Sequence, residues 1–127
     1  MKFDPKNPPR VFEVGYDVKG YISDCGAMHL AGDEQITFVT EQGAEYDVTR
    51  KDWGFYATPS LNGRLSGFGL RGVLVKNRHN RFFVMLVERG REDAFDRYVK
   101  QEPLSIVAWL DSEEALLSLE RSLEGKR

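Results

Sequence analysis

The sequence predicts an α+β fold: an antiparallel β-sheet or partly open small barrel with two C-terminal helices packed on one side. Short runs of β-branched and aromatic residues fill the chain as far as Glu88, and apolar residues at helical spacing appear only after it. The chain has 127 residues, 41% of them hydrophobic and 30% charged. This length and composition are typical of one globular domain, which we expect over residues 11–125.

Residues 1–10 contain three prolines and almost no apolar side chains. They predict an extended N-terminal arm that stays flexible unless it docks on the domain. Strand-like runs follow at 11–14, 19–23, 35–40 and 44–49. The last two runs alternate polar and apolar side chains around a Gln42-Gly43 turn, which predicts a half-buried antiparallel hairpin.

The segment 52–72 has five glycines and one proline and shows no sustained periodicity. It is predicted to be a loop with short pieces of strand. A second hairpin is predicted after it, with strands at 70–76 and 81–87 joined by four polar residues. The run FFVMLV in the later strand is apolar at every position, which predicts a central strand covered on both faces.

Apolar residues at helical spacing predict a helix over 91–100, and Pro103 prevents its continuation. A strand is predicted at 104–110. The strand, helix and strand between 81 and 110 have the order of a parallel crossover, although the connection is near the short limit for one.

A final helix is expected to start at an Asp111 or Ser112 cap and to end at Gly125. Its apolar stripe consists of Leu116, Leu119 and Leu123. If the sheet does not cover all of Leu116, Leu117 and Leu119, the helix would offer a surface to a second copy of the chain, as in a homodimer, or to a partner protein. Burial of these leucines within one copy is the expected arrangement.

The net charge of −2 argues against a nucleic-acid or anionic-membrane partner attracted by the charge of the whole protein. The charges are unevenly distributed, however. Residues 50–81 include seven basic residues and one acidic residue, a net +6, so the rest of the chain carries −8. This asymmetry favours a local anion site, whereas alternation along strands would scatter the same charges over both faces of a sheet.

The stretch 50–72 interleaves aromatic and basic residues in a segment long enough to be functional or to be anchored by its own aromatics. In the functional interpretation, a ring stacks on a sugar or base while arginines bind a phosphate or carboxylate. In the structural interpretation, the aromatics belong to the core and the arginines pair with acids elsewhere. The candidate ligand-binding residues are Arg50, Trp53, Tyr56, Asn62, Arg64 and Arg71.

These features favour a small-molecule binding or accessory domain for an anionic ligand, such as a phosphorylated or acidic sugar-like metabolite. The alternative is a small isomerase, lyase or hydrolase in the same pocket, with Tyr56 or Asp47 transferring a proton and Arg64 stabilising negative charge. A third class is a protein-interaction module that uses a hairpin edge or the last helix. The acidity of the chain and the lack of an RRM-like aromatic signature argue against a single-stranded nucleic-acid ligand.

Cys25 and His29 lie close together in the sequence SDCGAMHLAGDE. A thiolate and its base at this spacing would meet on one turn of helix, which the neighbouring glycines disfavour. One Cys and two His are fewer than the four ligands of a structural zinc site, and a catalytic zinc site would need all three of them together. The run SGFGLRG lacks the Lys-Ser/Thr of a phosphate-binding loop. From these observations together, no metal and no cofactor is expected.

The longest apolar run, at 82–87, is far shorter than the roughly 20 residues that a membrane span requires. The N-terminal residues lack the apolar core of a signal peptide. The single cysteine excludes an internal disulfide. We therefore expect a cytoplasmic protein that does not enter a membrane.

Overall fold

A computed structural model describes residues 1–125 of the chain. The elements in chain order are β1 (Lys2–Val14), β2 (Gly20–His29), β3 (Gln35–Val39), β4 (Glu45–Lys51), β5 (Gly54–Tyr56), α1 (Arg64–Gly67), β6 (Leu70–Lys76), β7 (Phe82–Glu88), α2 (Glu92–Gln101), β8 (Ser105–Trp109) and α3 (Glu113–Glu124). All paired strands are antiparallel, and no sheet of the described residues closes into a barrel. The predicted α+β class is confirmed.

Strands β1 and β2 form a two-stranded ribbon. Residues 1–10, expected as an arm that stays flexible unless it docks, lie almost entirely in β1 and pair with β2 on either side of a bulge. At the bulge, residues 6–9 lie opposite Cys25 alone. The ammonium group of Met1 lies 2.9 Å from a carboxylate oxygen of Glu34, which joins the open end of the ribbon to the start of β3.

Strands β3, β4 and β5 form the second sheet in that order. The first predicted hairpin is confirmed, with Ile36 opposite Val48 and Phe38 opposite Tyr46. These apolar side chains share one face of the sheet, where the rings of Phe38 and Tyr46 stack with centroids 5.7 Å apart. The opposite face is polar and carries Gln35, Thr37, Asp47, Thr49 and Tyr56.

The third sheet has β6 at its centre, between β7 and β8. The second predicted hairpin, β6–β7, is confirmed. Since β7 and β8 are both antiparallel to β6, they run parallel to each other and α2 connects them, with β6 inserted between the two strands of the crossover. The prediction that FFVMLV forms a central, fully covered strand is wrong: β7 lies at the edge of the sheet, and Phe82, Phe83 and Val84 are exposed.

Two small clusters of buried residues lie on the two faces of β6. On one face, Val73 and Val75 pack with Phe95 of α2. On the other face, Leu70 packs with Leu65 of α1 and with residues at the start of β4. Helix α3 contributes no buried residue to either cluster. None of the helices within residues 1–125 has the length and apolar character needed to cross a membrane.

The capping residue of α3 is Ser112, whose hydroxyl accepts a hydrogen bond from the backbone N–H of Ala115 at 3.2 Å. Gly125 is the C-cap, as expected. The other candidate cap, Asp111, instead binds Arg71 of β6, with 2.7 Å between the arginine Nε and a carboxylate oxygen. The guanidinium of Arg71 also lies 4.1 Å from the centroid of the Trp109 ring, and the Arg71 side chain is 25% exposed.

Replacing Arg71 with Met keeps most of the apolar stem and removes the charge that pairs with Asp111. We expect the free energy of unfolding at pH 7 to fall by about 2 kcal/mol, less than for a fully buried pair because the site is partly open to solvent. Urea denaturation measures this change. The control is Arg97→Met, which alters an exposed arginine of α2. An equal loss of stability in both variants would contradict the assignment.

The same pair fixes the sign of a pH effect. The hydrogen bond from Arg71 lowers the pKa of Asp111 below its usual value. The pair therefore stabilises the fold above the ordinary carboxylate range, and this contribution is lost as the pH falls below about 4. Arg71→Met should consequently lose less stability on acidification than the natural chain does, in parallel urea titrations.

A third prediction concerns the ribbon. Gly26 has a φ of +146°, and a Cβ there would lie 2.4 Å from the carbonyl oxygen of Asp4. Gly26→Ala should cost about 1–3 kcal/mol in the paired state of the ribbon, which corresponds to roughly 5- to 150-fold more opening. Limited trypsin cleavage after Lys6 and Arg10 should accelerate by a similar factor. Gly20→Ala is the control, since open space surrounds that position; comparable acceleration there would contradict the prediction.

Candidate functional site

A hollow of about 230 Å³ opens on the polar face of the second sheet. Strands β3, β4 and β5 supply one part of its lining, and the segment that leads into α1 supplies the other. Six of its seven lining residues have polar side chains. The residues are Gln35, Asp47, Thr49, Tyr56, Pro59, Ser60 and Arg64, and we call this site the Asp47 hollow.

Asp47 is the one charged residue among residues 1–125 that is buried, with 8% of its surface exposed. Its Oδ1 accepts a hydrogen bond from the Thr37 hydroxyl at 2.7 Å, and its Oδ2 accepts one from Nε of Arg64 at 3.0 Å. The hydrogen bond from Thr37 is the largest cause that lowers the pKa of Asp47. The hydrogen bond and the charge of Arg64 lower this pKa further, while burial raises it. Asp47 is therefore a carboxylate at neutral pH.

Arg64 is the first residue of α1, and its backbone N–H donates a hydrogen bond to the Ser60 hydroxyl at 2.7 Å. Its guanidinium lies 4.7 Å from the centroid of the Phe68 ring, and its side chain is 54% exposed. Nε is occupied by Asp47. The two Nη groups have no hydrogen-bond partner among residues 1–125, so they remain available to a ligand that presents a carboxylate or phosphate.

The strands supply the other polar groups of the hollow. Thr49 lies opposite Tyr56 across β4 and β5, and its hydroxyl donates to Oε1 of Gln35 at 2.9 Å. The amide nitrogen of Gln35 has no partner within the described part of the chain. With the half-exposed ring of Tyr56, the hollow offers an aromatic surface, hydroxyls, an amide, a carboxylate and a guanidinium.

Only two of the six predicted ligand-binding residues, Tyr56 and Arg64, line this hollow. Arg50 lies on the opposite face of the second sheet, because neighbouring residues of a strand alternate between faces. Its guanidinium donates to the carbonyl oxygen of Gly54 at 2.9 Å and lies 5.6 Å from the centroid of the Phe55 ring. Arg50 thus has a role within the sheet.

The remaining three predicted residues are also dispersed. Trp53 is exposed in the turn between β4 and β5 and is not part of the lining. Asn62 lines a separate depression beside Leu116 of α3. Arg71 is held by Asp111 and by Glu92, as the structural interpretation of the sequence expects for an arginine. The structure therefore does not gather the six residues around one site.

Sequence reasoning missed Gln35, Thr49, Pro59 and Ser60 as lining residues. The signal that could have identified Gln35 and Thr49 is the register of the strands. Thr49 of β4 lies opposite both Gln35 of β3 and Tyr56 of β5, and alternation along β4 places Thr49 on the same face as Asp47. Pro59 and Ser60 gave no such signal, because their position depends on how the loop returns to the sheet.

The Cys25 and His29 motif lies on strand β2, where four residues span about 13 Å. The thiol therefore has no base in reach from His29, and its hydrogen donates to the carbonyl oxygen of Ser23. Within residues 1–125, no group of three or more His, Cys, Asp or Glu is arranged to hold a metal ion.

A larger hollow of about 330 Å³ lies where the β1–β2 turn meets the β6–β7 turn and α2. Two polar side chains of its lining, Arg78 and Glu102, join these elements. The guanidinium of Arg78 stacks 3.9 Å from the Tyr16 ring centroid and donates to the Tyr16 hydroxyl. The carboxylate of Glu102 accepts a hydrogen bond from the backbone N–H of Tyr16 at 3.0 Å. We interpret this hollow as a packing joint and the Asp47 hollow as the candidate site.

Comparison of the chain with protein-family models, with curated proteins and with solved structures gives no match. The chemistry of the Asp47 hollow therefore rests on its own residues and their geometry.

The electrostatics of the hollow can be tested through Thr37, whose hydroxyl is the first cause of the lowered pKa of Asp47. Thr37→Val preserves the shape of the side chain and removes the donor, so the pKa of Asp47 should rise. Carboxyl-carbon NMR titration measures the pKa directly. The matched control is Thr40→Val, whose hydroxyl donates to Glu88 instead. A pKa of Asp47 that is unchanged by Thr37→Val would show that the hydroxyl does not stabilise the carboxylate.

Proposed function

We propose that the protein binds a small anionic metabolite rich in hydroxyl groups, such as a phosphorylated or acidic sugar, in the Asp47 hollow. One observation carries the proposal. The buried Asp47 carboxylate engages Arg64 through Nε, and the arginine keeps both Nη groups for a ligand. A planar pair of donors held in this way matches a carboxylate or phosphate.

The size of the hollow limits the ligand. Its volume of about 230 Å³ is below the roughly 300–1,000 Å³ of pockets for drug-sized molecules. A single ring with one acidic substituent suits this volume, whereas a dinucleotide or an oligosaccharide does not. The half-exposed ring of Tyr56 offers a flat surface for such a ring.

The charge balance favours the same class of ligand. Asp47 and Arg64 cancel each other, so the hollow does not carry the strong positive field that a polyphosphate needs. A carboxylate has about four lone-pair positions, and Asp47 uses two of them within the protein. The others can accept hydrogen bonds from ligand hydroxyls. The amide of Gln35 and the hydroxyl of Ser60 add further polar contacts.

Binding is better supported than catalysis. The enzyme alternative places Asp47 or Tyr56 beside an arginine in a concave site, and the hollow has this arrangement. A general base works best when its pKa lies near the working pH, however, and the pKa of Asp47 is shifted in the opposite direction. The proposed ligand is a cytoplasmic metabolite.

Calorimetric titration against hexose phosphates, uronic acids, the matching neutral sugars and inorganic phosphate tests the proposal. We expect binding of an acidic sugar in preference to its neutral counterpart. Arg64→Gln should weaken that binding by about 10- to 100-fold, since a hydrogen bond to a charged group contributes about 1.5–3 kcal/mol. Arg97→Gln, on the exposed face of α2, is the control and should bind like the natural chain.

The outcome against the proposal is equally specific. Failure of the whole panel, or equal affinity of the Arg64→Gln and Arg97→Gln variants, would overturn it. Thermal unfolding of each variant, with and without the sugar, separates a loss of affinity from a loss of folded protein.

A further inference from the structure

We propose that the protein forms a symmetric homodimer in which α3 of each copy packs on an apolar face of the other. This face, which we call the open face, belongs to the second and third sheets and lies away from α2. It consists of Phe38, Tyr46, Leu74, Phe82, Val84 and Leu86.

The register of the strands defines the open face. Val84 lies opposite Leu74, and Phe82 and Leu86 point to the same side of β7 as Val84. Leu86 also lines an apolar hollow of about 220 Å³ with Phe38 and Tyr46 of the second sheet. Phe82 and Val84 are each 58% exposed, so this part of the sheet has no cover within residues 1–125.

Helix α3 carries apolar side chains that could cover the open face of another copy. It is 12 residues long, and none of its side chains is buried. A helix of this length is marginally stable in water unless an apolar face is covered by a neighbour. Its leucine stripe is on one side of the helix, and Leu119 remains 47% exposed. The chain therefore contains a helix with exposed leucines and an apolar face that is exposed at Phe38, Phe82 and Val84, while Tyr46 and Leu86 of that face pack partly against the Leu70 cluster.

The accessible surface of one copy is larger than expected for a monomer of its mass. The accessible surface is 9150 Å², whereas a folded monomer of 14.5 kDa is expected to expose about 6,900 Å². The excess is about 2,300 Å² for each copy. Stable homodimers typically bury a total of about 2,000–5,000 Å² from both copies. This excess includes the exposed ribbon as well as α3 and the open face, and it is large enough to contain an interface of this class.

Charge complementarity favours a second copy as the occupant. The described part of α3 contains four glutamates and one arginine. Lys76 and Arg81, at the end of β6 and in the turn before β7, flank the Phe82 end of the open face. None of these charges belongs to an ion pair within residues 1–125. Because each copy carries both the acidic helix and the basic rim, a two-fold arrangement satisfies both copies at once.

Sedimentation equilibrium of the natural chain should give twice 14.5 kDa. Leu119→Glu on α3 and Val84→Glu on the open face should each weaken self-association at least 100-fold and give the mass of one copy. Tyr21→Glu, at an exposed position on the ribbon, is the control and should remain dimeric. A monomeric natural chain, or a Leu119→Glu variant that stays dimeric, would overturn the proposal.

A cross-linking experiment tests the arrangement without relying on variants that disturb folding. Two proteins are prepared in a Cys25→Ser background, one with Val84→Cys and a longer tagged one with Leu119→Cys. A short bismaleimide should join them into a mixed pair when they are combined. Absence of the mixed pair would overturn the proposal. A single chain that carries both Val84→Cys and Leu119→Cys gives a second test. If the cross-link forms only within that chain, the proposal is overturned, because α3 would then cover the open face of its own copy.

Discussion

Arg71 places one positive charge between carboxylates from two different parts of the chain, Asp111 before α3 and Glu92 in the first turn of α2. The same guanidinium packs against Trp109 at the end of β8. A partly buried cation needs compensation of this kind, so these elements are fixed relative to β6. On the other face of β6, the residue before Arg71 packs against α1, where the wall of the Asp47 hollow begins. The position of the candidate site therefore depends on this strand.

The parts of the fold that follow from local patterns could be predicted from the sequence. Alternation around Gln42-Gly43 gives the first hairpin, and apolar spacing with a Ser112 cap gives α3. Pairing of the N-terminal segment could not be predicted, because it depends on backbone hydrogen bonds to β2 and involves residues with little strand preference. The edge position of FFVMLV could not be predicted either, because it depends on β8 pairing with β6 and not with β7.

The candidate site could be predicted only in part, because its residues come together through the register of the strands. Composition identified the basic and aromatic segment, and Tyr56, Arg64 and the alternative residue Asp47 do lie together. A shift of one residue along a strand reverses the face of a side chain, so Arg50 could not be assigned without the register. Arg71 illustrates a second difficulty, because an arginine that binds two internal carboxylates has the same local sequence signature as one that binds a ligand.

The ribbon of β1 and β2 has a consequence for how the chain loosens. It is tied to the remaining structure by Met1 at one end and Tyr16 at the other, and no residue of either strand is buried. Separation of its strands therefore uncovers little apolar surface, whereas removal of β6 uncovers the fully buried Val73 and Val75. We therefore expect the elements to unfold locally at different free energies, with the N-terminal strands at the low end of the scale and β6 at the high end.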